Sequence, residues 1–280
     1  ADVLNPIRSD IRKFNQQSIA FREGMEIAGD IYEVVLGTEG RVLQSSVGLI
    51  KSATATAFDL ATGMDLINEM MQGKEGVTLS QYEDQLRSRK LIGADQSLAD
   101  LAKVDPNSEA GQTLGAKAIF DAKMLLMAFK SGSMEGQSGN AMSNKDFERL
   151  KQFLGASKDY RVFLTNLGQY MQTKVTSINQ MADQLNNDTS LQAFADANGF
   201  NPLNQGTVVK GFSRENVGDN QRLANGWKLI AGEGVPQVGK PQPKPAADVT
   251  EVTEEPDAQV DDLMAQYEAG ETITVTQAMA

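Results

Sequence analysis

The sequence predicts a mainly α-helical protein: an elongated helical bundle with two long helices, followed by a Gly-rich extended arm and a Pro-rich acidic C-terminal tail. Three observations predict this fold class. Apolar residues recur every three or four positions over most of the N-terminal part, which is typical of amphipathic helices. Capping residues precede these segments and glycines follow them. Further along the chain the periodicity is lost, and first glycine and then proline accumulate.

The same shifts in composition divide the 280-residue chain into four parts. We predict a helical body over residues 1–200, a Gly-rich extended arm over 201–234, a Pro-rich acidic linker over 235–258 and a terminal binding peptide over 259–280. Five of the eight prolines fall between Val235 and Pro256. That composition favours an extended, solvated chain that buries little surface.

Charge and residue usage restrict the possible functions. The chain has no cysteine and no histidine, so it lacks disulfides, thiolate metal ligands and the commonest general base. We therefore expect a non-enzymatic protein without cofactor or metal. Residues 246–280 hold nine acidic and no basic side chains, which leaves 26 basic against 28 acidic groups in the rest. This near-neutral body predicts no strong nucleic-acid surface.

The longest unbroken apolar run is Met124–Phe129. Six residues are far fewer than the ~20 that a membrane-spanning helix needs. The N-terminus is polar and has no apolar segment of the kind found in signal peptides. We expect no transmembrane segment.

The first long helix starts at Asn5-Pro6, an N-cap followed by proline at the first helical position. Its apolar residues repeat in steps of four and three, as in a heptad seam. This seam either packs on the helix's own domain or contacts another subunit. The candidate contact residues are Ile7, Ile11, Phe14, Phe21 and Met25.

Further helices follow from periodicity and caps. Thr78 and Gln81 predict a capping box, and Ser108 and the Ser143/Asp146 pair predict helix starts. The predicted helices are Arg41–Gln72, Leu79–Leu91, Gln96–Val104, a helix from Ser108 through Phe129, a helix from Ser143 to Gly155 and the longest one, Lys158–Asn187.

A Gly/Ser-rich stretch separates two of these helices. Gly132, Gly136 and Gly139 lie within it, and we predict a hinge there because glycine adopts conformations that other residues avoid. In the arm, Trp227 is predicted to dock on the helical body or on a neighbouring subunit. In the terminal peptide, Leu263, Met264 and Tyr267 are candidate partner contacts.

Two nucleotide- or metal-like patterns are rejected. Residues 234–240 match G-x-x-x-x-G-K, but Pro241 stands where a magnesium-binding hydroxyl is required. Asp105, Asn107 and Glu109 begin like a calcium loop, but Ala116 occupies the position of the bidentate glutamate.

The central stretch resembles internal virion (ejection) and tape-measure-type structural proteins of tailed bacteriophages. In that pattern a helix rich in Leu, Met and Ala gives way to a Gly/Ser loop and then to a Ser-x-x-Asp helix that ends in glycine. The matching residues are Leu125, Leu126, Ala128, Gly132, Gly139, Ser143, Asp146, Phe147, Leu154 and Gly155. The resemblance implies a virion component that forms homo-oligomers around the phage axis, contacts other virion proteins and reaches the host cell envelope or periplasm during infection.

From this resemblance and the long seams we expect a structural subunit of the virion that lines or builds a DNA-delivery conduit. The first alternative is a helical adaptor whose tethered C-terminal peptide recruits a partner protein. The second is a cell-wall hydrolase that uses only carboxylates, because 37 acidic residues leave room for a catalytic pair.

Overall fold

The structure is a computed structural model that describes residues 4–43, 60–74, 76–137, 141–155, 159–188 and 209–236. These residues are mainly helical, with nine α-helices and two short strands among them. The predicted mainly α fold class is therefore confirmed.

The described residues also contain two short 3₁₀ turns, Arg41–Leu43 and Arg214–Asn216. The bounds of the α-helices are α1 Leu4–Gly37, α2 Leu60–Met71, α3 Leu79–Ser88, α4 Leu98–Ala102, α5 Glu109–Leu114, α6 Ala116–Met134, α7 Asn144–Gly155, α8 Tyr160–Asn186 and α9 Gln221–Ala231. The strands are β1 Gly76–Thr78 and β2 Ala141–Ser143.

Two long helices are present, as the apolar periodicity predicts. The longer is α1, with 34 residues and a length of about 50 Å. The segment predicted to be the longest forms α8, with 27 residues. Asp159 is the N-cap of α8, and its side chain accepts a hydrogen bond from the Arg161 amide, so the helix starts later than predicted.

The core is centred on α6, which is surrounded on most sides. Fourteen of its 19 residues are buried, including Asp121 and Lys123. Helices α1, α4 and α7 and strand β2 pack against it, and Phe120 of α6 lies 5.9 Å from the Phe163 ring of α8. A helix that is buried all round belongs to the interior of a protein.

Two of the predicted capping motifs perform that role. Thr78 accepts a hydrogen bond from the Gln81 amide, and the Gln81 side chain accepts one from the Thr78 amide. At the start of α7, Ser143 Oγ lies 3.3 Å from the Asp146 amide, and Asp146 Oδ2 lies 3.1 Å from the Ser143 amide. Both motifs satisfy amides that a helix N-terminus leaves unpaired.

Strands β1 and β2 pair antiparallel, with Val77 opposite Met142. Periodicity did not predict them, since three residues are too few for an alternating pattern to emerge. Because Gly76 lies opposite Ser143 and Thr78 opposite Ala141, α3 and α7 leave the paired strands at opposite ends.

Two predicted helices have different bounds. The segment Arg41–Gln72 contains a 3₁₀ turn at its start and α2 at its end, and residues 44–59 lie outside the described residues. The helix predicted from Ser108 through Phe129 is divided into α5 and α6 at Gly115, whose φ of +82° does not fit an α-helix.

The prediction of an extended Gly-rich arm over 201–234 is wrong for most of the residues that the structure describes there. Residues 221–231 form α9, with Asn220 as N-cap and Gly232 as a left-handed C-cap. Leu223 and Leu229 are buried in the core. Burial of this apolar face against α1 and α8 stabilises a helix that a short glycine-containing sequence does not predict.

Candidate functional site

The α1 seam packs within its own chain over most of its length. Phe14, Phe21 and Met25 are buried in the core, and the Phe21 ring meets Phe212 edge to face with centroids 4.6 Å apart. These three residues are therefore unavailable as contacts for another subunit, which corrects that alternative. The physical reason is that α6, α8 and α9 already cover the seam.

Residues 9–13 of α1 are less covered. Ile11 is half-buried, and Ser9, Asp10, Arg12 and Lys13 around it are exposed. Ile7 lies four residues earlier in the same helix. This end of α1, residues 4–13, carries the two seam candidates that precede the buried part of the seam.

Ile19 is an exposed apolar residue that the seam pattern does not include. Its side chain is 61% exposed, and it is the large hydrophobic residue that the described part of the chain leaves in solvent. Ile19 comes directly after Ser18, which occupies a seam position. In the sequence, only this place beside the seam indicated that Ile19 would be exposed.

The other predicted site residues have separate positions. Trp227 lies in α9, half-buried against the core of its own chain, in agreement with docking on the helical body. Leu263, Met264 and Tyr267 lie outside the described residues, as does Gly139.

The predicted glycine hinge is partly replaced by helix. Gly132 lies inside α6, where a Cβ atom would meet Ala141 O at 2.8 Å. It is glycine because β2 passes close by, and its assignment to a hinge is wrong. Gly136 follows the helix with φ of +86°, and the Gln137 amide bonds back to Gly132 O at 3.1 Å. Gly136 thus terminates α6 in a left-handed conformation.

Helices α1 and α9 touch through their backbones. A Cβ atom on Gly226 would lie 2.6 Å from Met25 O, and one on Gly29 would clash with the carbonyl oxygen of Arg222. Small residues at a helix crossing permit this approach. The contact holds α9 against the middle of α1.

Charged side chains surround this crossing. Arg222 donates two hydrogen bonds to Asp30, at 2.9 and 2.7 Å, and one to Glu26 at 3.1 Å. Lys123 of α6 donates to the same Asp30 at 3.1 Å. Burial lowers the pKa of Lys123, and Asp30 opposes that shift. One carboxylate therefore links three helices, and we call Glu26, Asp30, Lys123 and Arg222 the ionic clasp.

A groove of about 1130 Å³ opens beside the ionic clasp. Both signs of charge line it. The carboxylates are Asp30, Glu33 and Asp105, and the cations are Arg41, Lys103, Lys123 and Arg222. The two signs nearly cancel. The groove therefore has no concentrated positive field of the kind that attracts a phosphate backbone.

A second polar cluster joins α6, α7 and α8. Lys174 and Arg149 both donate to Glu135, and Arg149 lies 3.9 Å from Asp146 Oδ1. Burial, together with the neighbouring Arg149, lowers the pKa of Lys174 to about 8. Its position in the apolar period of α8 marks Lys174 in the sequence, but its partners come from distant segments.

The described residues contain no group of three or more acidic side chains placed to hold a metal ion. Within the same ranges, no helix is long and apolar enough to cross a membrane. No protein-family model, curated protein or solved structure matches this chain.

Proposed function

We propose that this chain is a non-enzymatic structural subunit of a tailed-phage virion. It acts as an internal or ejected protein that assembles with copies of itself and with other virion proteins to build or line a DNA-delivery conduit. Its location is the particle, with delivery into the host envelope or periplasm. The resemblance of Leu125–Gly155 to ejection and tape-measure-type proteins supports this assignment, and the mainly helical fold is compatible with it.

The observation that carries the self-assembly step is the N-terminal end of α1. The heptad seam begins at Ile7 and Ile11, ahead of the residues that the chain buries in its own core. A seam that continues beyond its intramolecular partners offers a coiled-coil surface to a second helix. Ile19, on the adjoining outer face, enlarges the apolar surface. In this proposal, α1 and α8 run along an elongated bundle and the free end of α1 contacts the next copy.

The test is the mass of the full chain in solution. Light scattering over a range of concentrations should show self-association, and the paired change Ile11→Asp and Ile19→Asp should shift the protein towards monomer. The paired change Asn15→Asp and Gln16→Asp is the matched control, because it adds the same two negative charges at exposed positions of the same helix. A monodisperse wild-type monomer at high concentration contradicts the proposal.

The virion assignment has its own test. Purified particles should contain the chain in a fixed copy number, which quantitative mass spectrometry can measure. Absence of the chain from particles would eliminate the virion assignment while leaving self-association open.

An adaptor function is the second candidate, favoured by the composition of the C-terminal part. Residues 259–280 place Leu263, Met264 and Tyr267 among acidic residues, a pattern that suits a tethered recognition peptide. Deletion of 259–280 separates the two functions. If the chain is an adaptor, the deletion should abolish binding to its partner and leave its mass in solution unchanged. If the chain is a conduit subunit that does not use the peptide, the deletion should change neither binding nor mass.

A further inference from the structure

A small cavity lies between α6, α7 and α8. Its wall is mostly apolar, from residues such as Met127, Phe153 and Leu167, and four polar side chains complete it: Ser131, Asp146, Arg149 and Tyr170. The space in which the centre of a water molecule fits has a volume of about 20 Å³. A cavity needs roughly 10–15 Å³ by this measure to hold one water molecule, so its size suits one water and no larger ligand.

Asp146 supplies an acceptor without a donor. The residue is only 1% exposed. Its Oδ2 atom accepts hydrogen bonds from the amide and the hydroxyl of Ser143, at 3.1 and 2.6 Å. Its Oδ1 atom is buried and accepts no hydrogen bond, since Arg149 lies 3.9 Å away. A buried carboxylate oxygen in this state is unfavourable unless a donor reaches it.

Tyr170 supplies a donor without an acceptor. Its ring is fixed edge to face against Phe153, with centroids 4.9 Å apart. Burial raises the pKa of Tyr170 to about 12, so the hydroxyl carries its proton at neutral pH. Ser131 lies beside this hydroxyl and acts in the opposite direction on its pKa, but the geometry leaves Tyr170 Oη without a hydrogen bond. Ser131 donates instead to Ala128 O, at 2.8 Å.

The charges around the cavity decide what kind of ligand fits. Glu135 and Asp146 are balanced by Arg149 and Lys174, and both cations already contact a carboxylate. An additional ion would disturb this balance and would leave its own charge uncompensated in a largely apolar site. A neutral molecule that both donates and accepts hydrogen bonds meets the two unsatisfied atoms.

We propose that this cavity binds a single ordered water molecule that accepts a hydrogen bond from the Tyr170 hydroxyl and donates one to Asp146 Oδ1. Asp146 lies in the first turn of α7 and Tyr170 in the middle of α8. The water therefore connects the start of α7 to α8 and belongs to the structure of the corner that follows Gly136. This site goes beyond the proposed function and does not depend on it.

The direct test uses the full wild-type chain. A crystal structure at a resolution that shows ordered water should contain one density peak in the cavity within hydrogen-bonding distance of both atoms. In solution, nuclear Overhauser effects from water should reach the ε-methyl group of Met127, which lines the same cavity. An empty cavity without such a signal would overturn the proposal, as would a direct hydrogen bond from Tyr170 to Asp146 or Ser131.

A pair of tyrosine variants provides the second test. Tyr170→Phe removes the donor, so the water signal at Met127 should disappear and the unfolding equilibrium constant should rise about tenfold. Tyr82→Phe is the matched control, since the Tyr82 hydroxyl is also buried without a partner but does not line this cavity. That variant should leave the water signal intact and the unfolding equilibrium constant unchanged or lower. Equal effects of the two changes on stability and on the water signal would refute the site.

Discussion

At the scale of the residue, the helix crossing between α1 and α9 depends on two glycines. Gly29 and Gly226 occupy the point where the two backbones touch, so the atom nearest to a methyl group on either would be a main-chain oxygen. Backbone contacts of this kind cannot be relieved by a change of rotamer. Substitution there tests the crossing directly.

Gly29→Ala should destabilise the protein by about 1–3 kcal/mol, the usual cost of overpacking. The free energy of unfolding from urea titration measures this effect. Gly37→Ala is the control in the same helix, because a Cβ atom at Gly37 would contact nothing within 4 Å. Equal stability of the two variants would show that α9 does not cross α1 as described.

Lys174 makes stability depend on pH in a defined window. Burial lowers its pKa from 10.5 to about 8, so between these values the unfolded chain binds more of this proton than the folded chain. The free energy of unfolding should therefore gain a contribution that rises with pH across this window, by at most about 1.4 kcal/mol per pH unit. Below pH 8 both states hold the proton and this gain is absent.

Lys174→Met removes this rise, because the titrating group is gone. Urea titrations through the window compare the slopes of the variant and the wild type. Lys74→Met provides the reference, since Lys74 is an exposed lysine in the turn after α2. Identical slopes for wild type and Lys174→Met would contradict the effect of burial.

At the scale of the element, the ionic clasp attaches α9 to α1 and α6. Asp30 receives Arg222 from one side and the buried Lys123 from the other. Exposed ion pairs add little stability, whereas a buried charge that loses its partner is costly. The contribution of this clasp therefore depends on Lys123 more than on Arg222.

Asp30→Ala should cost about 3 kcal/mol or more, because the Lys123 side chain, 8% exposed, is left without its carboxylate. Thermal and urea unfolding measure the loss. Asp84→Ala serves as the control, since Asp84 pairs with Arg87 in solvent and should change stability little. The double change Asp30→Ala with Lys123→Met should recover much of the loss, and failure to recover it would assign the cost to another cause.

At the scale of the whole molecule, protection of backbone amides from hydrogen exchange should decrease with distance from α6. The middle of α6 is covered by several elements, whereas the N-terminal end of α1 is bordered by exposed residues. Local opening requires less free energy where few apolar contacts must break. The middle of α6 and the N-terminal end of α1 are both helical, so a difference in their exchange would reflect packing and not secondary structure.

Hydrogen exchange followed by mass spectrometry should therefore show the slowest exchange in residues 119–129 and fast exchange in residues 9–13 of α1. Residues 20–35 of α1, most of which are buried by α6, α8 and α9, are the internal comparison. At concentrations where the chain self-associates, residues 9–13 should become more protected. Uniform protection along α1 would contradict both the packing and the proposed contact.

Local signals in the sequence determined much of the secondary structure. Thr78, Ser108 and Asp146 start helices because the amides and side chains that they bond to lie within three residues of them. The Asn5-Pro6 pair does not start α1, because the helix already begins at Leu4. The heptad period of α1 determined which face is apolar. It did not determine whether that face meets its own chain or another copy.

The tertiary structure alone decided the remaining features. Residues 221–231 are helical because α1 and α8 bury Leu223 and Leu229, and Gly132 is glycine because β2 passes beside it. The ionic clasp joins Asp30 to Arg222 across 192 positions, and the Asp146–Tyr170 cavity joins two separate helices. A local pattern can specify which residues are apolar, capping or charged, but the partners of those residues exist only once distant segments have packed together.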